Sequence, residues 1–167
     1  LRIRASDVPL EPINSILSGQ GAVPEALREV LTALHPRGQL PSLQVSIGNL
    51  EHPTDNWQVD ANFAAVAVDS FNGAPGITSA TGYTQITPGS GFVVLDSQQL
   101  TLDFPAIYHE ALHFEDLYGT LHLDWDDDTF RLASGLLTTQ GEEGTAKVLF
   151  GLNIPLIAND TGIEMDL

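Results

Sequence analysis

The pattern of hydrophobic and polar positions divides the chain into a short helical part and a longer part made of strands. Between residues 24 and 34, apolar side chains recur three and four positions apart, which is the spacing of one face of an α-helix. A shorter helix of about two turns is predicted over residues 10–17, where apolar positions again share one face. We therefore expect a helical segment at 9–36 that contains two short helices.

From residue 38 onward the hydrophobic period changes from 3.6 to two. Apolar and polar side chains alternate in 43–47, 57–65, 100–104 and 121–125. Turn signals rich in glycine, proline or aspartate separate such stretches about every ten residues, which is typical of a meandering antiparallel sheet. The pattern predicts a mainly β fold over 38–167. Alternation alone leaves open whether two sheets face each other in a sandwich or one curved sheet leaves an apolar groove open.

Composition and charge narrow the possible partners. The 167-residue chain suits a single domain and carries 22 acidic against 6 basic residues, which gives a net charge of −16. A field of that sign disfavours nucleic acid and anionic membrane surfaces as partners. The absence of cysteine excludes disulfides and thiolate metal sites. No apolar run reaches the roughly 18–20 residues that a membrane span needs, and the abrupt ends suggest an internal fragment of a longer chain.

One short string has the form of a zinc-hydrolase motif. His109, Glu110 and His113 match H-E-x-x-H, in which two histidines one helical turn apart hold the metal and the glutamate activates its water. A helix over 105–118 would fit the local pattern, and a third ligand would then have to come from the acidic pair at 142–143. On a strand, by contrast, residues four apart are separated by about 13 Å and cannot share one ion.

A second string resembles the start of a calcium loop. Asp124, Asp126 and Asp128 alternate, but an EF-hand would need glycine and glutamate where Thr129 and Gly135 stand. The interpretation that fits better is a solvated hairpin tip.

Several stretches carry a family resemblance through their order and spacing. They are DVPL at 7–10, LTALHPRGQL at 31–40, APGI at 74–77, GFVVLDS at 91–97, LDFP at 102–105, LYGTL at 117–121 followed by Trp125, and the segment 151–155. In this order they resemble a segment of the YhdP family, large AsmA-like proteins of the Gram-negative envelope.

The resemblance implies both a fold and a role. The fold would be a strongly curved antiparallel sheet, a β-taco, with an apolar groove along its inside. The role would be the non-enzymatic movement of phospholipid across the periplasm between the inner and outer membranes, without a cofactor. The parent protein would be anchored in the inner membrane by a helix that is not part of this chain, and adjacent segments of the same parent would be partners. On this interpretation residues 106–116 are extended or form a short helix at the rim.

The strand alternation then predicts which side chains face the groove and contact acyl chains. By strand parity they are Phe63, Phe92, Val94, Leu102, Phe104, Leu121, Leu123, Phe130, Leu132, Val148 and Phe150. Two other functions stay open: a zinc hydrolase that uses His109, His113 and Glu110, and a closed β domain that serves as a spacer or interaction module.

Overall fold

A computed structural model describes residues 1–11, 32–71, 75–105, 109–126, 128–141, 144–155 and 164–166. These residues form strands almost throughout. The strands are β1 (Arg2–Pro9), β2 (Arg37–Ile47), β3 (Trp57–Val68), β4 (Gly76–Thr87), β5 (Ser90–Asp103), β6 (Leu112–Trp125), β7 (Thr129–Ser134), β8 (Leu137–Gly141), β9 (Gly144–Val148), β10 (Gly151–Pro155) and β11 (Glu164–Asp166).

All of these strands belong to one antiparallel sheet. The main path runs β1-β2-β3-β4-β5-β6-β7-β10-β11, so each strand from β1 to β7 pairs with its neighbour in sequence. A side branch leaves at β6, whose residues 116–118 pair with β8, and β8 in turn pairs with β9. The prediction of a mainly β, antiparallel meander is confirmed. Within the described ranges there is no second sheet to complete a sandwich.

The two predicted helices lie largely outside the described residues. Both fall largely on residues 12–31, which lie outside the described residues, and in the described part the helical turn is confined to 32–34. Pro9, the expected entry to the first helix, instead ends β1, opposite Gln39. Proline fits there because β1 is an edge strand, in which an N–H can be missing without breaking the ladder.

A line of β-bulges crosses the sheet and bends it. Ala65 in β3, Ser79 in β4 and Gln99 in β5 have positive φ angles of 50°, 65° and 55°. The strand registers shift at the first two of these places, between Phe63 and Val66 and between Thr78 and Gly82. An extra residue on one strand of a pair bends that strand and increases its twist. Because the irregular residues lie on neighbouring strands, the bend is continuous across β3, β4 and β5.

The core of the protein lies along this bend. Phe63, Ala80, Leu95 and Leu100 form a buried cluster. Partly buried hydrophobic residues pack around it: Leu40, Val66, Ile77, Val93, Leu102, Phe114, Leu117 and Leu121. Leu95 and Leu100 are five positions apart, so strict alternation would place them on opposite faces. The positive φ at Gln99 interrupts the alternation and puts both on the same apolar face.

Ser97 restores hydrogen bonds that the bulge removes from the ladder. Its side chain is almost fully buried, with 2% exposure. The hydroxyl accepts the backbone N–H of Thr81 at 2.9 Å and donates to the backbone carbonyl of the same residue at 3.0 Å. Since buried backbone groups without partners are costly, this one side chain makes the bend between β4 and β5 compatible with burial.

Candidate functional site

An unbroken row of apolar residues crosses eight strands on one face of the sheet. Each member lies directly opposite the next in the strand register, and opposite residues in antiparallel strands share a face. In order, the row consists of Ile3, Val45, Val59, Ile86, Gly91, Leu123, Leu132 and Leu152. We call this set the apolar row.

The apolar row is long and only partly covered. Seven steps of about 4.8 Å between neighbouring strands give it a length of roughly 34 Å along the sheet. Ile3 at one end is 53% exposed and Leu152 at the other is 5% exposed, and the side chains between them have intermediate exposure. By comparison, Leu100 at the bend is 2% exposed. From Ile3 to Leu132 the apolar row is therefore a surface that the described residues leave partly open, whereas Leu152 at its end and the residues at the bend are buried.

Two flanking rows widen the same face. Toward the bend, Leu43 opposite Ala61 and Val93 opposite Leu121 continue it with aliphatic side chains. The same flanking row also contains two hydroxyl residues, Thr84 between Ala61 and Val93 and Ser134 opposite Leu121. Toward the hairpin ends the pairs carry aromatic rings, since Trp57 lies opposite Ile47 and Trp125 lies opposite Phe130. The face thus forms a mainly apolar strip three residues wide, which adjoins the bend on one side and ends in aromatic residues on the other.

The other face of the sheet is polar and hydrogen-bonded. The carboxylate of Asp60 accepts hydrogen bonds from Tyr83 Oη at 2.8 Å, and from Gln85 Nε2 and Gln58 Nε2 at 2.9 Å each. The Gln85 bond is the largest cause that lowers the pKa of Asp60, and partial burial opposes it. The bond to Asp60 also raises the pKa of Tyr83. The two faces of the sheet therefore differ sharply in chemistry.

Several of the predicted groove residues lie on the apolar face. Leu123 and Leu132 belong to the apolar row, and Phe130 pairs with Trp125 beside it. Phe63, Leu102 and Leu121 pack at the bend, while Phe104 is 9% exposed just beyond β5. Val148 lies opposite Leu137 in the side branch and is 39% exposed. The backbone carbonyl of Phe150 accepts the N–H of Ser134, and the N–H of Phe150 donates to the Ser134 hydroxyl. Lipid contact at these residues remains a prediction.

Phe92 and Val94 lie on the polar face, which corrects their predicted orientation. Phe92 is opposite Gln85 on one side and His122 on the other, and Val94 is opposite Tyr83. Their predicted orientation assumes that the parity of Leu102 and Phe104 holds backward along the whole of β5. The positive φ at Gln99 changes that parity, so the strand presents Val93 and Leu95 to the apolar face instead.

Sequence reasoning missed more than half of the apolar row. Ile3, Val45, Val59 and Ile86 each stand between two polar neighbours, and Leu152 precedes Asn153, so the signal for an apolar face is present in the sequence. What the sequence lacked was the register that aligns them with Leu123 and Leu132, because strand pairing depends on contacts far apart in the chain.

The family of this chain follows from its match to a protein-family model. The family model described as YhdP protein matches residues 1–154. The chain belongs to the YhdP family. No curated protein and no solved structure matches it. YhdP proteins are AsmA-like transport proteins of the bacterial envelope. In the parts of this YhdP chain that the structure describes, no helix is long and apolar enough to cross a membrane.

The H-E-x-x-H string of this YhdP chain does not adopt the helix that zinc binding requires. His113 is an exposed residue of β6, and its Nδ1 lies 3.1 Å from Thr101 Oγ1 on β5. His109 and Glu110 precede the strand, in a bend. The helix considered for 105–118 is therefore wrong in its described C-terminal part, and no group of three metal-ligating side chains occurs within the described ranges. The acidic pair at 142–143 lies outside the described residues.

The aspartate string forms a hairpin tip between β6 and β7, as predicted. One carboxylate oxygen of Asp126 accepts the backbone N–H groups of Asp128 at 3.0 Å and Thr129 at 2.8 Å. Its other oxygen accepts from Arg131 Nη1 at 3.0 Å. These bonds lower the pKa of Asp126, with the backbone bond from Asp128 as the largest cause. The carboxylate therefore closes the turn.

Proposed function

We propose that this chain is a segment of a periplasm-spanning channel that carries phospholipid between the inner and outer membranes through an apolar groove. The observation that carries the proposal is the apolar row, which crosses eight strands of one sheet without a polar side chain. Membership of an envelope transport family supports it. The groove is the strip formed by this row and its two flanking rows.

The energetics of moving an acyl chain favour a wall of this kind. Each CH₂ exposed to water costs about 0.8 kcal/mol, so a polar gap in the path would raise a barrier that grows with every methylene crossing it. A wall of aliphatic side chains makes no hydrogen-bonding demand on the chain that slides along it. The incomplete cover of Val59, Ile86 and Leu123 leaves room for the guest, while a charged headgroup stays in water at the open side.

The length of the row also fits transport better than storage of one lipid. The hydrocarbon core of a bilayer is about 30 Å thick, so one acyl chain spans roughly half of that. The apolar row, at roughly 34 Å, is about twice as long. An acyl chain can therefore leave one stretch of wall while it already contacts the next.

The two ends of the sheet suit continuation into adjacent segments of the parent protein. In the described part of the chain, β1 pairs only with β2 and β11 only with β10. An edge strand presents unpaired N–H and C=O groups that another strand can extend. Such an extension would prolong the groove in both directions in a parent anchored in the inner membrane.

Two neighbouring positions on β6 provide a direct test. Leu123 is in the apolar row and half-buried, whereas His122 is exposed on the polar face. We expect a photo-reactive amino acid at Leu123 in the full-length parent to crosslink phospholipid in cells, and the same group at His122 to give none. The buried Phe104 should crosslink less than Leu123 because only 9% of it is exposed. Equal labelling at positions 122 and 123, or none at 123 with normal expression, would refute the groove.

A further inference from the structure

The polar face of the sheet contains a pocket that the proposed groove does not use. It lies over β4, β5 and β6 near their hairpin ends and has a volume of about 230 Å³. The side chains that line it from the polar face are Gln85, Thr87, Ser90, Phe92, His122 and Asp124. Gly91 and Leu123, which lie between these residues on β5 and β6 and belong to the apolar row, complete the lining. We call it the polar-face pocket. Ligand pockets for drug-sized molecules usually occupy about 300–1,000 Å³, so this one suits a single ring.

An aromatic ring forms part of the wall in otherwise polar surroundings. Phe92 is half-buried and packs against Tyr83, with ring centroids 5.9 Å apart and a tilt of 54°. Tyr83 is itself held by its hydroxyl on Asp60 at 2.8 Å. The hydrogen bonds around Asp60 therefore hold the ring of Tyr83, and Phe92 packs against that fixed ring. An apolar ring held in this way offers a preorganised flat surface for a ligand.

Hydrogen-bonding groups of both kinds surround that ring. His122 and Asp124 are exposed, and no hydrogen bond from another described residue engages either side chain. Asp124 offers acceptors, and a neutral imidazole offers one donor and one acceptor. Gln85 uses its amide nitrogen on Asp60 at 2.9 Å, which leaves its carbonyl oxygen for a ligand. The hydroxyls of Thr87 and Ser90, 3.1 Å apart, complete the rim.

We propose that the polar-face pocket binds one neutral pyranose ring of an oligosaccharide. A sugar ring combines an apolar C–H face, which stacks on an aromatic side chain, with hydroxyls that both donate and accept hydrogen bonds. The pocket presents the matching combination. A purely apolar ligand would leave Asp124 and His122 unpaired, and an anionic sugar would be repelled by a chain of net charge −16. Because pocket and groove occupy opposite faces, a bound glycan would hold this segment in place without blocking lipid.

Saturation-transfer NMR on the 167-residue chain tests this proposal. The probes are two neutral oligosaccharides, cellotetraose and chitotriose, and an anionic one, trigalacturonate. We expect transfer to at least one neutral probe, weak binding in the millimolar range, and a shift of the His122 ring signals. Transfer to chitotriose alone indicates recognition of an N-acetylated glycan. Transfer to cellotetraose alone, or to both neutral probes, indicates recognition of the sugar ring itself. Preferential binding of trigalacturonate would overturn the proposal.

Three substitutions separate recognition from folding. Phe92→Ala should weaken binding at least about tenfold, and Phe92→Tyr should keep it, because the ring face is retained. Asp124→Asn should weaken binding several-fold without a change in circular dichroism, since this side chain is exposed. Asp116→Asn, an exposed acid on the same strand and outside the pocket, is the matched control and should have no effect.

The result that overturns the proposal is equally specific. Absence of transfer to both neutral probes from the folded chain would do so. So would binding that Asp124→Asn leaves unchanged, or that Asp116→Asn weakens as much. If Phe92→Ala fails to fold, the difference in binding between Asp124→Asn and Asp116→Asn still tests the proposal.

Discussion

Gly82 leaves the space that Phe63 fills above the sheet. The two residues are directly opposite in β3 and β4, and a Cβ on Gly82 would lie 2.9 Å from Phe63 Cζ and overlap the carbonyl of Val94. We expect Gly82→Ala to destabilise the protein by about 1–3 kcal/mol, the usual cost of an overpacked core. The midpoint of urea unfolding measures this.

Gly151 provides the matched control for that substitution. It also lies in a strand, but the nearest atom to an added Cβ is the carbonyl of Leu132 at 3.9 Å, an ordinary contact. Gly151→Ala should therefore change stability by less than about 0.5 kcal/mol. If both variants unfold at the same urea concentration, the close approach of Phe63 to the β4 backbone is not a constraint on the fold.

Asp60 gives the polar face a measurable dependence on pH. Its pKa is lowered from 3.8, chiefly by the Gln85 hydrogen bond. A carboxyl whose folded pKa lies below its unfolded value stabilises the folded state above the unfolded value, and this stabilisation is lost as pH falls through the folded pKa. We expect wild type to exceed Asp60→Asn in stability by a constant amount down to about pH 5. The difference should then shrink at lower pH, in unfolding curves measured at each pH.

An exposed acidic residue provides the control that separates the effect of the hydrogen bonds to Asp60 from the effect of removing a negative charge. Asp116→Asn removes the same charge from β6 on the same face. The difference in stability between Asp116→Asn and wild type should show no comparable change as the pH falls below 5. A pH-independent difference for Asp60→Asn would contradict the role assigned to the Gln85 and Tyr83 bonds.

At the scale of elements, the bend depends on Ser97. Removing its hydroxyl leaves the partly buried Thr81 N–H and carbonyl without the partners they have across the bulge. An unsatisfied buried group costs about 1–3 kcal/mol, so Ser97→Ala should lower stability by that amount. It should also speed hydrogen exchange at the Thr81 amide. Ser6→Ala, at an exposed position of β1, should leave both unchanged. Slow exchange at Thr81 in Ser97→Ala would show that other groups carry the bend.

The elements also show how far the sequence could predict this fold. Period-two alternation correctly indicated antiparallel strands, because each strand buries one face. Parity failed across Gln99, where a non-glycine residue adopts a positive φ that no sequence signal marks. At the H-E-x-x-H string the residues fit both the helical period of 3.6 and the strand period of two. The structure has a strand from Leu112 onward, where Leu112 pairs with Leu102 of β5. Tertiary pairing overrides local preference there.

At the scale of the whole molecule, the groove is a property of register. The family resemblance predicted an apolar groove and the strands predicted apolar faces, yet which side chains adjoin follows only from pairings such as Ile3–Val45, which joins positions 42 residues apart. A one-residue slip of any strand would turn its apolar residues to the polar face. The eight-strand alignment is therefore the feature of the site that the sequence could not supply.

The same alignment separates the wall of the groove from the core, and two leucines test the distinction. Leu123 is half-buried in the apolar row, whereas Leu100 is 2% exposed at the bend. A glutamate at 123 can keep its charge in water, so Leu123→Glu should leave the chain folded and abolish lipid transport in the full-length parent. Leu100→Glu buries an unpaired charge and should unfold the chain. Circular dichroism measures whether each variant folds, and a cellular lipid-transport assay measures whether it transports lipid. If Leu123→Glu also unfolds the chain, the row is sealed interior and the sheet is a spacer; if it folds and transports normally, lipid takes another path.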